Sequence, residues 1–403
     1  MVPQRSGSKK GVAESLHPGR AMGNLVGDTH RQRCSLDVPF ADDFGPAKVV
    51  YVHEPALGLA AALVIDNVAA GPSIGGLRLA PDVTLEECGR LARAMTMKNA
   101  AAGLPHGGGK SVLRGDPRMP ASDKQRLIRA FAHALRHETD YIFGPDMGTD
   151  EASMAWVKDE IGRAVGLPTV LGGIPLDEIG ATGWGIRCAA EVAAPRCGLD
   201  LRGARVAIQG FGAVGKHSAR FLAERGTVLV AASDSRGTVH DESGLDLDRL
   251  LALKAGGHSV VELERGRRLE RDAILDVDCD IWIPAARPDV VREDNVGRLK
   301  ARLVLQGANI PFTVGAEEVL HGRGVLVIPD FIANAGGVIC AALEYQGAGQ
   351  AAALAAIDEK IRANTRAVLD ASAAERVSPR RAALALAMDR VRQAMRYRRF
   401  SIL

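Results

Sequence analysis

Short runs of apolar residues begin at about residue 46, and their lengths are typical of β-strands. A longer run follows in which apolar residues recur every three or four positions, as on one face of a helix. The first third of the chain is therefore predicted to mix strands with helices. The predicted strands are residues 47–54, 58–66 and 75–80, and the predicted helices are residues 84–102, 123–137 and 150–164.

The helix predicted over 84–102 begins with a capping box formed by Thr84 and Glu87. Its apolar face includes Lys98, because residues spaced by three and four positions lie on the same side of a helix. This lysine is therefore expected to point toward the interior, although a lysine at the edge of an apolar stripe can also extend its charge into solvent. The stripe consists of Leu91, Met95, Lys98 and Ala102.

A strand, a glycine turn and a helix follow one another from about residue 204. The turn carries the motif G-x-G-x-x-G, which in this context binds the phosphates of a dinucleotide. The next strand ends at Asp234, 19 residues after the last glycine of the motif. An acidic residue at this distance can accept hydrogen bonds from the adenosine ribose. The predicted cofactor-binding residues of this region are Gly210, Gly212, Ala213, Val214, Gly215, Asp234 and Ser235.

Three further strands are predicted at 279–286, 301–309 and 324–330. Ligands of open parallel sheets bind outside the carboxyl ends of the strands. The small or polar residues at these ends are therefore expected to line the cofactor crevice, although ordinary loop chemistry explains any one of them equally well. They are Ala285, Asn309 and Asp330.

The C-terminal stretch is predicted to be helical, with Ser378 as N-cap and Pro379 at the first helical position. Its apolar stripe is expected to be core or a subunit contact. The stripe consists of Leu384, Met388, Val391 and Met395.

Composition narrows the class of protein. The 403 residues are enough for two domains, and 47% hydrophobic with 25% charged residues is typical of soluble globular proteins. Residues 1–34 carry six Lys or Arg and two acidic residues, a charge of +4, so the formal charge of +3 leaves −1 for the rest. A nearly neutral body excludes the basic stripe that nucleic acid requires. No apolar run approaches the ~18 residues of a membrane span.

Residues 1–34 are predicted to be a disordered tail, because they are rich in Gly, Ser and charge and have no apolar period. They also lack the apolar region of a secretory signal. The six cysteines show neither C-x-x-C nor metal-ligand spacing. No metal site is therefore predicted, and a cytoplasmic protein with reduced thiols is expected.

The segment LPHGGGKS, residues 104–111, ends like a P-loop but has Leu104 where that motif needs its first glycine. Lys110 could thus belong to an ordinary glycine turn. Alternatively, Lys98, Lys110 and Asp146 supply the groups that oxidise an amine by hydride transfer. One cation holds the substrate carboxylate, a buried lysine acts on water at the imine carbon, and a carboxylate moves protons to and from the nitrogen.

From about residue 45 to 345 the chain resembles the glutamate/leucine/phenylalanine/valine dehydrogenase family. The motifs that carry the resemblance are GPSIGGLR, MTMKNAAAGLPHGGGKSV, GPDMGT, GATGWG, QGFGAVG, GAN and NAGGVI, in the order of the family. The resemblance implies that Lys98 binds the substrate carboxylate, Lys110 is catalytic and Asp146 is the proton shuttle. The cofactor residues that it implies are Thr182 near the nicotinamide amide, and Asn309 and Asn334 at the cofactor–substrate junction.

The fold class implied by the resemblance is α/β, with a substrate and oligomerisation domain followed by a Rossmann-type dinucleotide domain. The C-terminal helices are expected to pack back onto the first domain. Family members are usually hexamers or octamers, so a homo-oligomer is expected. The expected divisions are residues 1–34 for the tail, 35–175 for the first domain, 176–346 for the Rossmann domain and 347–403 for the C-terminal helices.

The chain departs from glutamate-type members at three positions that contact the second carboxylate of glutamate. Those members have a lysine before the GG of SIGG, a polar residue three before the carboxylate-binding lysine, and a serine after NAGG. This chain has Ile74, Met95 and Ala341 instead. An unpaired carboxylate buried against these side chains would cost several kcal/mol. An apolar substrate side chain, aromatic or branched, is therefore predicted.

Glycines complete the predicted substrate site. Gly144, where leucine- and glutamate-type members commonly have alanine, is expected to open space beside Asp146, and Gly75 and Gly76 are expected to contact the substrate. Glutamate stays the alternative substrate, because the segments SDSRGTVHDESGLD and LEYQ resemble glutamate-type members more closely.

The predicted cofactor is NAD, since the carboxylate of Asp234 would repel an additional phosphate. NADP stays possible, because Arg236 could neutralise that phosphate. The predicted small-molecule partners are an amino acid, its 2-oxo acid and ammonia. A catalytically silent sensor that binds NAD or an amino acid is the alternative from another class of function.

Overall fold

The computed structural model describes residues 40–403, so the predicted tail at residues 1–34 lies outside the described residues. The first half is a five-stranded sheet with flanking helices. Its strands are β1 (Lys48–Glu54), β2 (Leu59–Asn67), β3 (Ser73–Ala80), β4 (Gly107–Arg114) and β5 (Tyr141–Pro145), and its helices are α1 (Leu85–Ala101), α2 (Ala121–Ala134) and α3 (Glu151–Ile161). The strands lie in the order β1-β2-β4-β3-β5.

The glycine run of LPHGGGKS begins a strand instead of forming a turn. β4 lies between β2 and β3, pairs with both, and is buried except for its last residue. At Gly108 a β-carbon would lie only 2.0 Å from the backbone nitrogen of Thr96 in α1. The absence of a side chain therefore lets α1 lie directly on the strand that carries Lys110.

α1 begins as predicted, but its buried face lies beside the predicted stripe. The Thr84 side chain accepts a hydrogen bond from the Glu87 N–H at 3.1 Å, whereas the Glu87 carboxylate accepts from Arg78, so the predicted capping box is only half formed. Met95 and Lys98 are half-buried. The helix packs on β2 and β4 through a deeper face, which consists of Cys88, Ala92, Thr96 and Asn99.

The second half contains a seven-stranded sheet in the order β12-β11-β10-β6-β7-β8-β9, in which β6, β7, β10, β11 and β12 run parallel. Its strands are β6 (Arg205–Gln209), β7 (Val228–Asp234), β8 (Gly237–His240), β9 (Arg267–Leu269), β10 (Ile281–Pro284), β11 (Leu303–Leu305) and β12 (Leu326–Ile328). Only Ser235 and Arg236 separate β7 from β8, so the chain reverses and β8 pairs antiparallel.

The remaining helices cover this sheet and return to the first half. They are α4 (Ala181–Ala193), α5 (Ala213–Ala223), α6 (Leu247–Ala255), α7 (Val314–Gly322), α8 (Asp330–Ala333), α9 (Gly336–Tyr345), α10 (Gln350–Glu375) and α11 (Pro379–Met395). α10 packs on α4, and α11 packs on α1. The α/β fold class is thus confirmed, while the domain boundaries at residues 175 and 346 remain predictions. Within residues 40–403, no helix combines the length and apolar character that a bilayer crossing needs.

The stripe predicted for the last helix is only partly buried. Val391 is 4% exposed, but Leu384 is 37% exposed and is not part of the core. Ala383 and Ala387 are fully buried instead. These small side chains on neighbouring turns allow α11 to pack closely, which the larger residues of the predicted stripe would prevent.

Candidate active site

Lys110 and Asp146 form the centre of the candidate site. Lys110 lies in the middle of β4, and Asp146 directly follows β5. The Lys110 Nζ lies 2.8 Å from the Asp146 Oδ2, with side chains that are 7% and 24% exposed. The loop after Asp146 is fixed by Thr149, whose hydroxyl accepts from the Asp146 N–H and donates to the Leu77 carbonyl. The structure therefore brings the two predicted catalytic residues into direct contact, largely out of water.

Gly75 and Gly76 place the backbone of β3 against this pair. At Gly76 a β-carbon would lie 2.8 Å from the Asp146 Cβ and 3.0 Å from the Lys110 Nζ, so only glycine leaves room for the ion pair. The Tyr141 hydroxyl donates to the Gly75 carbonyl at 2.8 Å and holds the strand in place. Gly76 thus borders the ion pair itself, whereas Gly75 faces the backbone of β4, where a β-carbon would lie 1.8 Å from the Gly109 oxygen.

Arg78 was not among the predicted site residues, yet its Nε lies 2.9 Å from the same Asp146 Oδ2 that Lys110 contacts. Burial raises the pKa of the Asp146 carboxyl, but the charges and hydrogen bonds of Lys110 and Arg78 outweigh burial and hold the pKa below its ordinary value. Arg78 follows Gly76 by two residues, so the period of a strand puts both on one face of β3. This two-residue spacing is the signal in the sequence from which Arg78 could have been predicted as a site residue.

Lys98 reaches from α1 toward the second sheet, where its Nζ lies 3.3 Å from the Asn309 Oδ1. Burial lowers the pKa of Lys98 to about 8; the carboxylate of Asp330 opposes this shift, and repulsion by Lys110 adds to it. The ammonium group of Lys98 is therefore poorly compensated by the protein and suited to pair with an incoming carboxylate.

The loop after β11 carries Asn309, which contacts a second predicted cofactor residue, Asn334. The Asn334 Nδ2 donates to the Asn309 Oδ1 at 3.0 Å, while the Asn334 Oδ1 is buried with no hydrogen-bond partner among residues 40–403. Thr182 lies nearby in the fold, since a β-carbon on Gly337 would be 3.6 Å from its hydroxyl. An unpaired buried acceptor is costly, and an amide donor such as that of nicotinamide would satisfy it.

Asp330 does not line the crevice as expected. Its side chain is 9% exposed, and its two oxygens accept from the Arg380 guanidinium and the Ile310 N–H, each at 2.9 Å. Arg380 belongs to α11 and also pairs with the buried Glu317. Asp330 is therefore a structural residue that ties the loop after β11 to the C-terminal helix.

The glycine motif after β6 has the shape that a dinucleotide requires. Gly210 adopts φ +92°, and a β-carbon on it would lie 2.9 Å from the carbonyl carbon of Ala285. A β-carbon on Gly215 would lie 2.1 Å from the Gly210 oxygen, whereas no atom of residues 40–403 lies within 4 Å of one on Gly212. Ala213 and Val214 open α5 directly beyond this space. These residues fit a pyrophosphate at a helix N-terminus, where backbone N–H groups bind anions.

Asp234 is engaged by its own chain. Its carboxylate accepts from the Ser259 hydroxyl at 2.8 Å, from the Val260 N–H at 2.9 Å, and from the Lys254 ammonium and the Arg236 N–H, each at 3.0 Å. A carboxylate offers about four acceptor positions, and four donors fill them here. The predicted bond to a ribose hydroxyl therefore requires one of these donors to be exchanged. Ser235 lies exposed in the turn beside it.

The three predicted apolar substrate positions lie on β3, α1 and α9. Ile74 is 4% exposed and belongs to the main core; it lies on the same face of β3 as Gly76, roughly 7 Å away along the strand. Met95 is half-buried on α1, one turn before Lys98. Ala341 is half-buried on α9 and packs against the main core.

Gly144 does not open space beside Asp146 as expected. A β-carbon on Gly144 would contact Val165 at 3.6 Å and the Gly75 oxygen at 3.8 Å, and no atom of Asp146 lies within 4 Å of that position. The reason is that residues 163–165 run beside β5, where the Val165 N–H donates to the Phe143 carbonyl at 2.8 Å, and this places Val165 against Gly144. An alanine would fit at this position by ordinary van der Waals contact.

Comparisons with known proteins agree with this geometry. The model of the family "Glutamate/Leucine/Phenylalanine/Valine dehydrogenase" matches residues 172–399, and the model "Glu/Leu/Phe/Val dehydrogenase, dimerisation domain" matches residues 46–163. The chain is 42% identical to an NADP(+)-dependent glutamate dehydrogenase of Pyrobaculum calidifontis, over 69% of this chain and 70% of the relative. It is 36% identical to an NAD-specific glutamate dehydrogenase of Staphylococcus aureus, over 82% and 84%.

A solved structure shares the fold over most of its length. It is the hetero-hexameric glutamate dehydrogenase from Thermus thermophilus in a leucine-bound form, with a TM-score of 0.76 and 31% identity over 87% of this chain and 89% of that chain. Both halves of the sequence thus match one family in its domain order, and the resemblance noted from the motifs is confirmed. The chain belongs to the glutamate/leucine/phenylalanine/valine dehydrogenases and is an amino acid dehydrogenase that uses a nicotinamide cofactor.

Proposed function

We propose that the protein catalyses the reversible oxidative deamination of an L-amino acid to a 2-oxo acid and ammonia at the Lys98–Lys110–Asp146 site. The observation that carries the proposal is the contact between Lys110 and Asp146 at 2.8 Å, in a site that Lys98 joins to the cofactor residue Asn309. Two lysine side chains and one carboxylate are the groups that this chemistry needs. Their placement beside the dinucleotide half of the molecule favours hydride transfer over simple binding.

Each side chain has a separate task in this proposal. Lys98 pairs with the substrate carboxylate and orients the Cα–H bond. Asp146 accepts a proton from the substrate ammonium, so that the nitrogen lone pair can assist loss of hydride from Cα. A nicotinamide held beside Thr182, Asn309 and Asn334 would supply the acceptor for that hydride. After releasing its own proton to solvent, Lys110 takes a proton from the water that adds to the imine carbon. Asp146 returns its proton to the nitrogen, and the newly added hydroxyl gives its proton to Asp146 as the carbonyl forms and ammonia leaves.

The names of the relatives support L-glutamate as the substrate better than any other amino acid. A second candidate, an apolar amino acid, is favoured by one observation: Ile74, Met95 and Ala341 offer no cation to a second carboxylate. Oxidative deamination should be measured with all twenty amino acids and both cofactors. The highest kcat/KM for glutamate would refute the pocket argument, and the highest value for an aromatic or branched amino acid would refute the inference from the relatives.

Lys110→Ala distinguishes an enzyme from a silent binding protein. Turnover should be abolished, because among residues 40–403 no other lysine amine pairs with Asp146, while cofactor affinity should be unchanged. Cofactor binding can be followed by fluorescence of Trp184, which lies two residues after Thr182 in α4. A wild-type protein with no turnover on any amino acid would refute the proposal.

The cofactor proposed is NAD, because the carboxylate of Asp234 ends β7 where a further phosphate would be repelled. Lys254 and Arg236 weaken this argument, since Lys254 already pairs with Asp234 at 3.0 Å. Fluorescence titration with NADH and NADPH tests the proposal, and tighter binding of NADPH would refute it.

A homo-oligomer, either a hexamer or an octamer, is also proposed, because members of the family are usually assembled in this way. Light scattering after size-exclusion chromatography would measure its mass.

A further inference from the structure

Two cations share a single oxygen of the Asp146 carboxylate. The Lys110 Nζ lies 2.8 Å and the Arg78 Nε 2.9 Å from Oδ2. The other oxygen, Oδ1, accepts no hydrogen bond from any residue between 40 and 403. The carboxylate is thus oriented by one oxygen and keeps the other available to accept a proton.

Arg78 is itself held at its far end. Its NH1 group pairs with Glu87 in the first turn of α1, and its side chain is 19% exposed. A guanidinium is planar and presents its donors in a fixed arrangement, so a contact at each end fixes the plane. α1 also carries Lys98, and the Arg78 bridge therefore connects the start of that helix to the loop of Asp146.

We propose that Arg78 is a positioning residue of the reaction: it holds the Asp146 carboxylate through Oδ2 so that Oδ1 accepts the proton of the substrate ammonium. The inference rests on the proposed roles of Lys110 and Asp146. In the step, one N–H bond of the substrate breaks and one O–H bond forms on Oδ1, with no other reactant. Lys110 alone would not fix the carboxylate, because an ammonium on a flexible chain sets no plane.

The charge of Arg78 has a second consequence. Burial disfavours the ionised carboxylate of Asp146, and Lys110 and Arg78 together overcome it. Without Arg78 the pKa of Asp146 should rise, so that the active ionised form is lost at a higher pH as the solution is acidified. Lys110 on β4 and Arg78 on β3 contact Asp146, and Tyr141 on β5 lies within range of its charge. On α1, Glu87, Cys88 and Lys98 lie within range of one or both of these cations.

The test compares Arg78→Gln and Arg78→Lys, with Arg129→Gln as a control. Arg129 also bridges two carboxylates and is 29% exposed, but its partners are Asp159 and Glu160 on α3. We expect Arg78→Gln to lower kcat by about 10- to 100-fold and to move the acidic limb of the kcat/KM profile upward by about one pH unit. Cofactor affinity should stay the same.

Arg78→Lys should return the acidic limb toward the wild-type position, because it restores the charge, while kcat stays low without the planar contact. If Arg78→Gln has the same kcat and the same pH profile as the unsubstituted protein, the inference is overturned. Equal losses of kcat in both Arg78 variants, with an unshifted acidic limb and a lowered melting temperature, would also overturn the inference, since they indicate a structural role alone.

Asp146→Asn and Lys110→Ala are measured beside the Arg78 variants. If either is fully active, the proposed function fails. If both are inactive while Arg78→Gln keeps wild-type activity, only the role of Arg78 is refuted.

Discussion

Replacing Gly76 with alanine should separate the Lys110–Asp146 ion pair while the fold is retained. The new β-carbon would lie 2.8 Å from the Asp146 Cβ and 3.0 Å from both the Lys110 Nζ and the Pro145 oxygen. Non-bonded carbon atoms prefer about 3.5–4.0 Å. Asp146 must therefore move by about 1 Å, because its Cβ, unlike the end of a lysine, cannot swing aside without moving the loop.

The magnitude follows from that displacement. Overpacking of a closed site costs about 1–3 kcal/mol, and a misplacement of about 1 Å in a catalytic group costs about 100-fold in rate. We therefore expect Gly76→Ala to lower kcat/KM by about 100-fold. Steady-state rates with the best amino acid of the substrate panel measure this. Melting temperature and cofactor titration, made on the same samples, show whether the loss is confined to the site.

Gly144→Ala is the matched control, because Gly144 lies opposite Gly76 in the β3–β5 pairing. Its β-carbon would meet only Val165 at 3.6 Å and the Gly75 oxygen at 3.8 Å. We expect unchanged kcat/KM and stability that is equal or higher by up to about 1 kcal/mol, since alanine restricts the unfolded chain. Wild-type activity in Gly76→Ala, or an equal loss in Gly144→Ala, would refute the reasoning.

Two further predictions concern buried charges. Since the pKa of Lys98 is about 8, its ammonium fraction should fall from about nine-tenths at pH 7 to about one-tenth at pH 9. The Kd of a 2-oxo acid for the cofactor complex should then rise about tenfold between these pH values, and a flat profile would exclude Lys98 as the carboxylate ligand. Arg380→Gln should lower the free energy of unfolding in urea by about 3–5 kcal/mol, because it leaves the buried Asp330 unpaired. Arg381→Gln should lower it by less than about 1 kcal/mol, because Arg381 is 66% exposed; equal effects of the two variants would contradict this.

Local patterns accounted for the elements that the sequence predicted well. The strand, glycine turn and helix around Gly210, and the N-cap at Thr84, depend on residues within a few positions of one another, so periodicity and turn chemistry are sufficient. The predicted pairing of Lys98, Lys110 and Asp146 came instead from the order of family motifs. No local pattern brings together side chains that are separated by 12 and 36 residues.

The structure adds to or corrects the sequence predictions where a distant segment completes the environment of a residue. Asp234 follows its strand as predicted, but residues 254–260 return to fill its carboxylate. Gly144 is a glycine beside the Asp146 loop, yet residues 163–165 run along β5 and place Val165 against its open side. Glu87 satisfies the pattern of a capping box, but Arg78 offers a charged donor, which a carboxylate binds more strongly than a neutral backbone N–H.

The amino-acid sequence by itself determined the α/β class and the dinucleotide loop, because each is encoded in residue type and short spacing. The order of the family motifs added Lys98, Lys110 and Asp146 as the predicted reacting side chains. Only the tertiary structure decided which oxygen of Asp146 is held, which face of α1 is buried, and which donors occupy Asp234. These depend on contacts between residues far apart in the chain, and a change of 1 Å or one register position alters them without altering any local pattern.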